Sequence, residues 1–271
     1  MNINGTKNRT YVTVRQLASS QNFNLHECFE GKQTYFLKIA KSKAENGTLE
    51  KEEYILKTLK EVSDNVEVEY AKKRTRPDSV LNNHFFFPEV VDSFICKEEQ
   101  NRRVLILGLT SISKQTSDLA PLSFITKRDM VRIDPKTSVW ILGKLLKMLV
   151  FTHDQNILVR DLSADNILVN KAQHYVSVLN WGDALILNRE LEQKECLVEI
   201  VGVTKEVVKL LGGNPKTGEI PEDEQMEDSR YQDLLKKLIR GEYYDAYLAH
   251  SDFYGIVRSI WPSKFHPYTT K

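Results

Sequence analysis

The sequence predicts an α+β protein in two parts, a small antiparallel sheet with one helix followed by a mainly helical region. Strand-like segments rich in branched and aromatic residues are concentrated before residue 110. Beyond residue 136, apolar residues recur at helical spacing. The intervening stretch, 111–136, is polar and mixed, as suits a connection carrying one short helix, so we place the division at 1–110 and 111–271.

Residues 11–17, 25–30 and 33–40 read as strands, the last two joined by a turn at Gly31. Residues 44–62 are charged and helix-prone. At roughly 100° per residue, Leu49, Ile55, Leu56 and Leu59 form one inward stripe with Glu52 at its centre and Glu53 to one side. A basic loop is expected at 71–83, around Pro77, then strands at 90–96 and 103–109. Residues 139–153 carry Trp140, Leu142, Leu145, Leu146, Leu149 and Val150 nearly all round, which predicts a buried helix. Short apolar runs at 167–169 and 175–179 predict a hairpin. The remainder reads as helical, interrupted by a loop at 212–228 with Gly212, Gly213, Pro215, Pro221 and an acidic run.

Charge and cysteine content narrow the function classes. Lys and Arg total 38 against 37 Asp and Glu, so no net field draws the molecule onto nucleic acid or an acidic membrane. Cys28, Cys96 and Cys196 are far apart and in no C-x-x-C pairing, which suits a reducing, cytoplasmic setting. The opening residues lack the apolar core of a signal peptide, and no apolar run is long enough to span a bilayer, so a soluble protein is expected. Three Asn-x-Thr matches, at Asn4, Asn8 and Asn46, are assigned no function.

The most informative stretch is Val159-Arg160-Asp161-Leu162-Ser163-Ala164-Asp165-Asn166-Ile167-Leu168-Val169, between a buried helix and a strand. Read alone, it is a polar turn whose Asp161 and Asn166 satisfy backbone donors. A second signal lies on the strand at 33–40, where Phe36, Lys38 and Ala40 alternate with Tyr35, Leu37 and Ile39. Lys38 thus shares a face with apolar neighbours, where its charge is costly unless a carboxylate or phosphate receives it. The alternative is an edge-strand lysine reaching water. Glu52 is the candidate partner.

The 159–169 stretch resembles the protein kinase catalytic loop, H-R-D-L-x-x-x-N. Phe151-Thr152-His153-Asp154-Gln155-Asn156-Ile157 is similar to the family's helix end and turn, and Asn180-Trp181-Gly182 stands where D-F-G is expected. The resemblance covers about residues 11–183. It implies a bilobal kinase-like fold in which Asp161 orients or deprotonates the acceptor, Arg160 braces the loop, and Asn166 and Asn180 hold a metal ion. It also implies that Lys38 binds phosphate and pairs with Glu52. Phe87-Pro88-Glu89-Val90-Val91-Asp92-Ser93-Phe94 resembles the entry to the fourth strand, and 104–109 resembles the fifth strand and hinge. Backbone groups at Gly108 and Leu109 would then meet adenine, with Leu17, Leu25 and Phe36 beside its ring, although core packing explains those three equally well.

The pattern also departs from the family. The glycine-rich loop falls on Ala18-Ser19-Ser20-Gln21-Asn22-Phe23-Asn24-Leu25, without any of the three glycines. Small side chains at Ala18 and Ser20 leave some room for a nucleotide, whereas Phe23 obstructs it. Asn180 replaces the metal-binding aspartate and removes a negative charge, with Asp183 and Asp165 as neighbouring carboxylates. Val159 replaces the histidine. Ser251-Asp252-Phe253-Tyr254-Gly255 resembles the start of the family's central C-lobe helix, and Ile220-Pro221-Glu222 weakly resembles A-P-E. This alignment gives a shortened C-lobe whose apolar face needs a partner, a dimer mate or a further domain.

Three functions are compatible with these residues. The first is a Ser/Thr protein kinase using ATP and Mg2+, or Mn2+, on a protein substrate. The second is a pseudokinase that binds and regulates a protein partner. The third is a small-molecule phosphotransferase of the aminoglycoside kinase type, since Leu179-Asn180-Trp181-Gly182-Asp183-Ala184 resembles that family's I-D-W-G-D-A.

Overall fold

A computed structural model describes residues 2–76, 79–113, 115–221, 229–262 and 266–271. Two compact units emerge. One contains residues up to Leu119 together with Leu179–Asp183, and the other contains Ala120–Val178 and Ala184–Lys271. The first therefore runs past the division at 110 expected from composition. The reason is local: Thr116 N–H donates to Thr34 Oγ1 at 2.7 Å and its hydroxyl to Glu27, tying the polar stretch back to the sheet.

The first unit is built on a six-stranded antiparallel sheet in the order β1-β2-β3-β4-β6-β5. Its strands are β1 (Asn2–Asn4), β2 (Thr10–Ser19), β3 (Phe23–Glu30), β4 (Gln33–Ala40), β5 (Glu89–Cys96) and β6 (Arg102–Gly108). The β3–β4 turn is made by Gly31, whose φ of 60° suits a residue without Cβ. Strand β1 has too few residues to show a period. Asp92 fixes its exit by accepting from Thr6 N–H at 2.9 Å and the Thr6 hydroxyl at 2.6 Å. Gly5 is required there, because a Cβ would lie 2.6 Å from both Asp92 and Tyr11.

Both faces of β4 are buried, which explains its nearly continuous apolar character. Tyr35, Leu37 and Ile39 join Ile3, Tyr11, Cys28, Cys96, Val104 and Ile106 in one core. On the opposite face Lys38 stands between Leu25 of β3 and Leu105 of β6, and Phe36 lies opposite Leu107. Helix α1 (Asn46–Lys73) packs over β4, β5 and β6 with Leu49, Glu52, Ile55, Leu56 and Leu59 inward. It continues well beyond residue 62, into the expected basic loop. The apolar stripe ends at Leu59, yet nothing after it breaks a helix, and i,i+4 and i,i+3 pairs such as Lys60–Asp64 and Glu69–Lys72 support the exposed extension. Pro77 lies outside the described residues.

The second unit opens at Ala120, within β7 (Leu119–Pro121), and continues into the short helix α2 (Ser123–Lys127). Helix α3 (Pro135–Asp154) starts earlier than the apolar pattern does, because Asp134 caps it, accepting from the N–H groups of Lys136 and Thr137, and Pro135 occupies its first position. Next come β8 (Ile157–Leu158), β9 (Ile167–Asn170), β10 (Tyr175–Val178) and β11 (Leu185–Ile186). The β9–β10 hairpin pairs Ile167 with Val178 and Asn170 with Tyr175, as the sequence predicts, while β8 and β11 form a two-strand ladder too short to be read from periodicity.

Three helices complete this unit: α4 (Gln193–Leu210), α5 (Arg230–Ile239) and α6 (Ala246–Ile260). Helix α3 packs against α4 and α6. The Ser251–Gly255 stretch does not begin a helix, contrary to the sequence reading. Asp245 starts α6 by capping Leu248 N–H at 2.8 Å, and Phe253 lies mid-helix against Gly143 and Tyr231. Glu222, the last residue of the A-P-E-like triplet, and most of the acidic run lie outside the described residues. No described helix is long and apolar enough to cross a membrane.

Candidate functional site

The first unit holds a buried charged cluster. Lys38 Nζ donates to Glu52 Oε1 at 2.6 Å, with both side chains inaccessible to solvent. The face alternation of β4 and the inward stripe of α1 place these two groups together. Glu52 Oε1 also accepts the backbone N–H of Trp181 at 2.8 Å, while Oε2 has no hydrogen-bond donor. Lys38 Nζ donates in addition to Asn180 Oδ1 at 2.9 Å. The Asn180-Trp181-Gly182 stretch is thus fastened by one carboxylate and one ammonium, and Trp181, fully buried, sets its ring edge-on to Phe87.

The third direction around the ammonium is taken by an aromatic face. The Phe23 ring centroid is 4.6 Å from Lys38 Nζ, a cation–π contact. Phe23 stands at the start of β3, just after the hairpin tip that replaces the glycine-rich loop. That tip satisfies itself. Ser20 Oγ accepts the N–H groups of Asn22 and Phe23 and donates to Phe23 O, and Ser20 N–H also reaches Phe23 O. Three backbone donors of this turn, those of Ser20, Asn22 and Phe23, are thereby engaged.

The remaining sequence candidates of this unit are placed as follows. Ala18 pairs with Leu25 and Leu25 with Lys38, so Ala18, Leu25, Phe36 and Lys38 share one sheet face, on which Leu25 and Phe36 are buried. Leu17 sits at an irregularity of the β2–β3 ladder and is exposed. Gly108 ends β6, and Leu109 O is occupied by Ile112 and Ser113 N–H groups at 3.0 and 2.8 Å.

In the second unit the 159–169 stretch forms a tight loop between β8 and β9. Asp161 N–H reaches back to Val159 O at 2.9 Å, closing a γ-turn at Arg160, whose φ is 70°. A non-glycine residue in this region is strained and needs support. Glu199 of α4 supplies it, accepting Arg160 N–H at 2.6 Å and contacting His153 Nε2 at 2.9 Å, while itself buried. Asn166 Nδ2 donates to Asp161 O at 2.7 Å, and Ser163 N–H approaches Asp161 Oδ1 at 3.3 Å. Asp165 is drawn to Lys127, which holds its carboxyl below the usual range.

Glu199 was missed in the sequence, although a signal was present. It shares the helical face of Cys196, Ile200, Val203 and Val207, so the face reading that singles out Glu52 would have found it. The three thiols offer no competing chemistry, since burial pushes Cys28 up to about 12 and Cys196 to about 11.

The resemblance assigns a metal ion to Asn166 and Asn180. Hard divalent cations favour carboxylate oxygens. These two residues offer neutral amide oxygens, that of Asn180 already accepting from Lys38, and the carboxylates neighbouring them in sequence are Asp165 and Asp183. Among the described residues no group of three or more His, Cys, Asp or Glu is placed to hold a metal ion.

The sequence matches no protein-family model and no curated protein. Solved structures do resemble it. The structure of vaccinia related kinase 3 is 13% identical over 96% of this chain and 90% of its own, with a TM-score of 0.61. Rad53 residues 1–466 in complex with AMP-PNP is 15% identical over 89% of this chain, with a TM-score of 0.56. The kinase domain of PF14_0431 is 14% identical over 72% of this chain, with a TM-score of 0.50. The chain spans 60% of the PF14_0431 and Rad53 chains. These likenesses show a bilobal, protein-kinase-like α+β fold.

Proposed function

We propose that this kinase-fold chain acts as a pseudokinase, binding and regulating a protein partner without transferring phosphate. One observation carries the reading: the Lys38 ammonium donates to Glu52 and Asn180 and lies against the Phe23 ring. A nucleotide phosphate reaching Lys38 would have to displace Phe23 and take the place of Asn180. The self-bonded Ser20 turn and the neutral amide side chains of Asn166 and Asn180 support the same reading.

The partner's place is the groove beside the catalytic loop, a cavity of about 670 Å³ between that loop and α4. Arg160, Asp161, Ser163, Lys194, Val198 and Lys205 line it. Glu195 also faces it but is engaged by Arg189 in a two-pronged pair at 2.8 and 2.9 Å.

A second reading, an active ATP-dependent phosphotransferase with Asp161 as the acceptor's base, is favoured by the intact Lys38–Glu52 pair and the Asp161–Asn166 contact. The AMP-PNP in the Rad53 structure points the same way. Incubation with γ-labelled ATP and a generic acceptor protein, with Mg2+ or Mn2+, separates the two. The pseudokinase reading expects no transfer above background, and label transfer abolished by Asp161→Asn would overturn it.

A further inference from the structure

The second unit contains another cavity, of about 690 Å³, which shares no lining residue with the groove beside Asp161. This is the size of a small-molecule site. Its walls come from α3, the β9–β10 turn and α6, and they are aromatic. The Trp140 indole stacks on the His174 ring, with centroids 4.9 Å apart and planes 17° apart. Trp140 Nε1 is buried without a hydrogen-bond partner and is closed off from the cavity, so the indole ring alone contributes to the wall.

Two cations line the same cavity. Lys144 Nζ lies 4.1 Å from the Tyr175 ring centroid, and the Arg258 guanidinium lies 5.3 Å from that of Tyr254. No described Asp or Glu faces the cavity. Burial, and secondarily the charge of Lys147, pushes Lys144 down to about 8, as expected of an ammonium short of counter-charge. Burial holds His174 and His266 below the ordinary histidine range, so they add no charge at neutral pH.

Aromatic walls and two cations specify a complement. We propose that this cavity binds a small planar aromatic carboxylate, its charge received by Lys144 and Arg258 and its ring by the aromatic walls. The proposal is independent of whether the chain transfers phosphate. An aromatic anion satisfies both halves at once, its ring meeting the walls and its charge the two cations.

Calorimetric titration of the full chain with 2-naphthoate tests it, with 2-naphthylmethanol as the uncharged counterpart. Saturable one-to-one binding of 2-naphthoate is expected, weakened about tenfold or more by Lys144→Met or Arg258→Gln. The alcohol should bind more weakly than the acid, and Asp161→Asn should change nothing. Circular dichroism establishes that each variant is folded, and Arg258→Gln, on the outer side of α6, carries the test if Lys144→Met is not. No saturation in the millimolar range, or binding that neither charge variant weakens, overturns the proposal.

Discussion

The Phe23 ring lies over the Lys38 ammonium, with 4.6 Å between Nζ and the ring centroid. The contact joins the start of β3, just after the Ser20 turn, to the buried lysine of β4. It leads to the first prediction. Phe23→Gly combined with Asn180→Asp frees one side of the ammonium and restores a carboxylate, and the double variant should gain a metal-dependent thermal shift with ATP. A double variant that stays folded and shows no shift would mean that Phe23 and Asn180 are not what closes the site.

The Lys38–Glu52 pair should behave as a buried ion pair that is worth little as a whole and costly to break. Glu52→Gln leaves the ammonium without its counter-charge, and we expect a loss of about 3–5 kcal/mol in chemical denaturation. Replacing both partners, as Lys38→Met with Glu52→Leu, should cost clearly less than Glu52→Gln alone. Equal or larger losses in the double variant would contradict a fully desolvated pair.

Glu199 should hold the strained turn at Arg160. Glu199→Ala removes a charged acceptor and leaves the Arg160 N–H unsatisfied, a loss of about 2–3 kcal/mol. Hydrogen exchange at 158–163 should quicken, while exchange in the β9–β10 hairpin changes less. Glu199→Gln, which keeps an oxygen acceptor, should restore part of the protection. Unchanged exchange in Glu199→Ala would remove α4 from the support of the loop.

Acid should weaken the second unit in a defined window. Burial, helped by Lys147 and Arg258, pushes His250 down to about 4. The folded state keeps the imidazole neutral, while the unfolded chain takes up its proton below about pH 6.5. The stability this group allows above pH 6.5 is therefore lost as pH falls toward 4. In His250→Phe the drop in urea midpoint between pH 7 and pH 5 should be smaller than in the parent chain. The same drop in both would assign the acid sensitivity elsewhere.

The sequence carried much of this arrangement because two periodicities cross at Lys38 and Glu52. Strand alternation put Lys38 on a buried face, and a helical stripe put Glu52 at its centre. The β9–β10 hairpin and the loop before it were equally legible. Other features were not, for physical reasons. Strands β1, β8 and β11 are too short to display a period. The end of α1 rests on exposed ion pairs that leave no apolar signature. The position of α6 depended on Asp245 as a cap, which family resemblance at Ser251–Gly255 obscured. Phe23 was visible as an obstacle, but its seat over Lys38 arises only once the Ser20 turn closes.

The measurement that bears most directly on the central claim is the melting temperature of the unmodified chain with ATP, in EDTA and then with excess MgCl2 or MnCl2. An ammonium already held by Glu52, Asn180 and Phe23 predicts the same melting temperature in every condition. A saturable, metal-dependent rise with ATP, absent in Lys38→Met, would contradict the account.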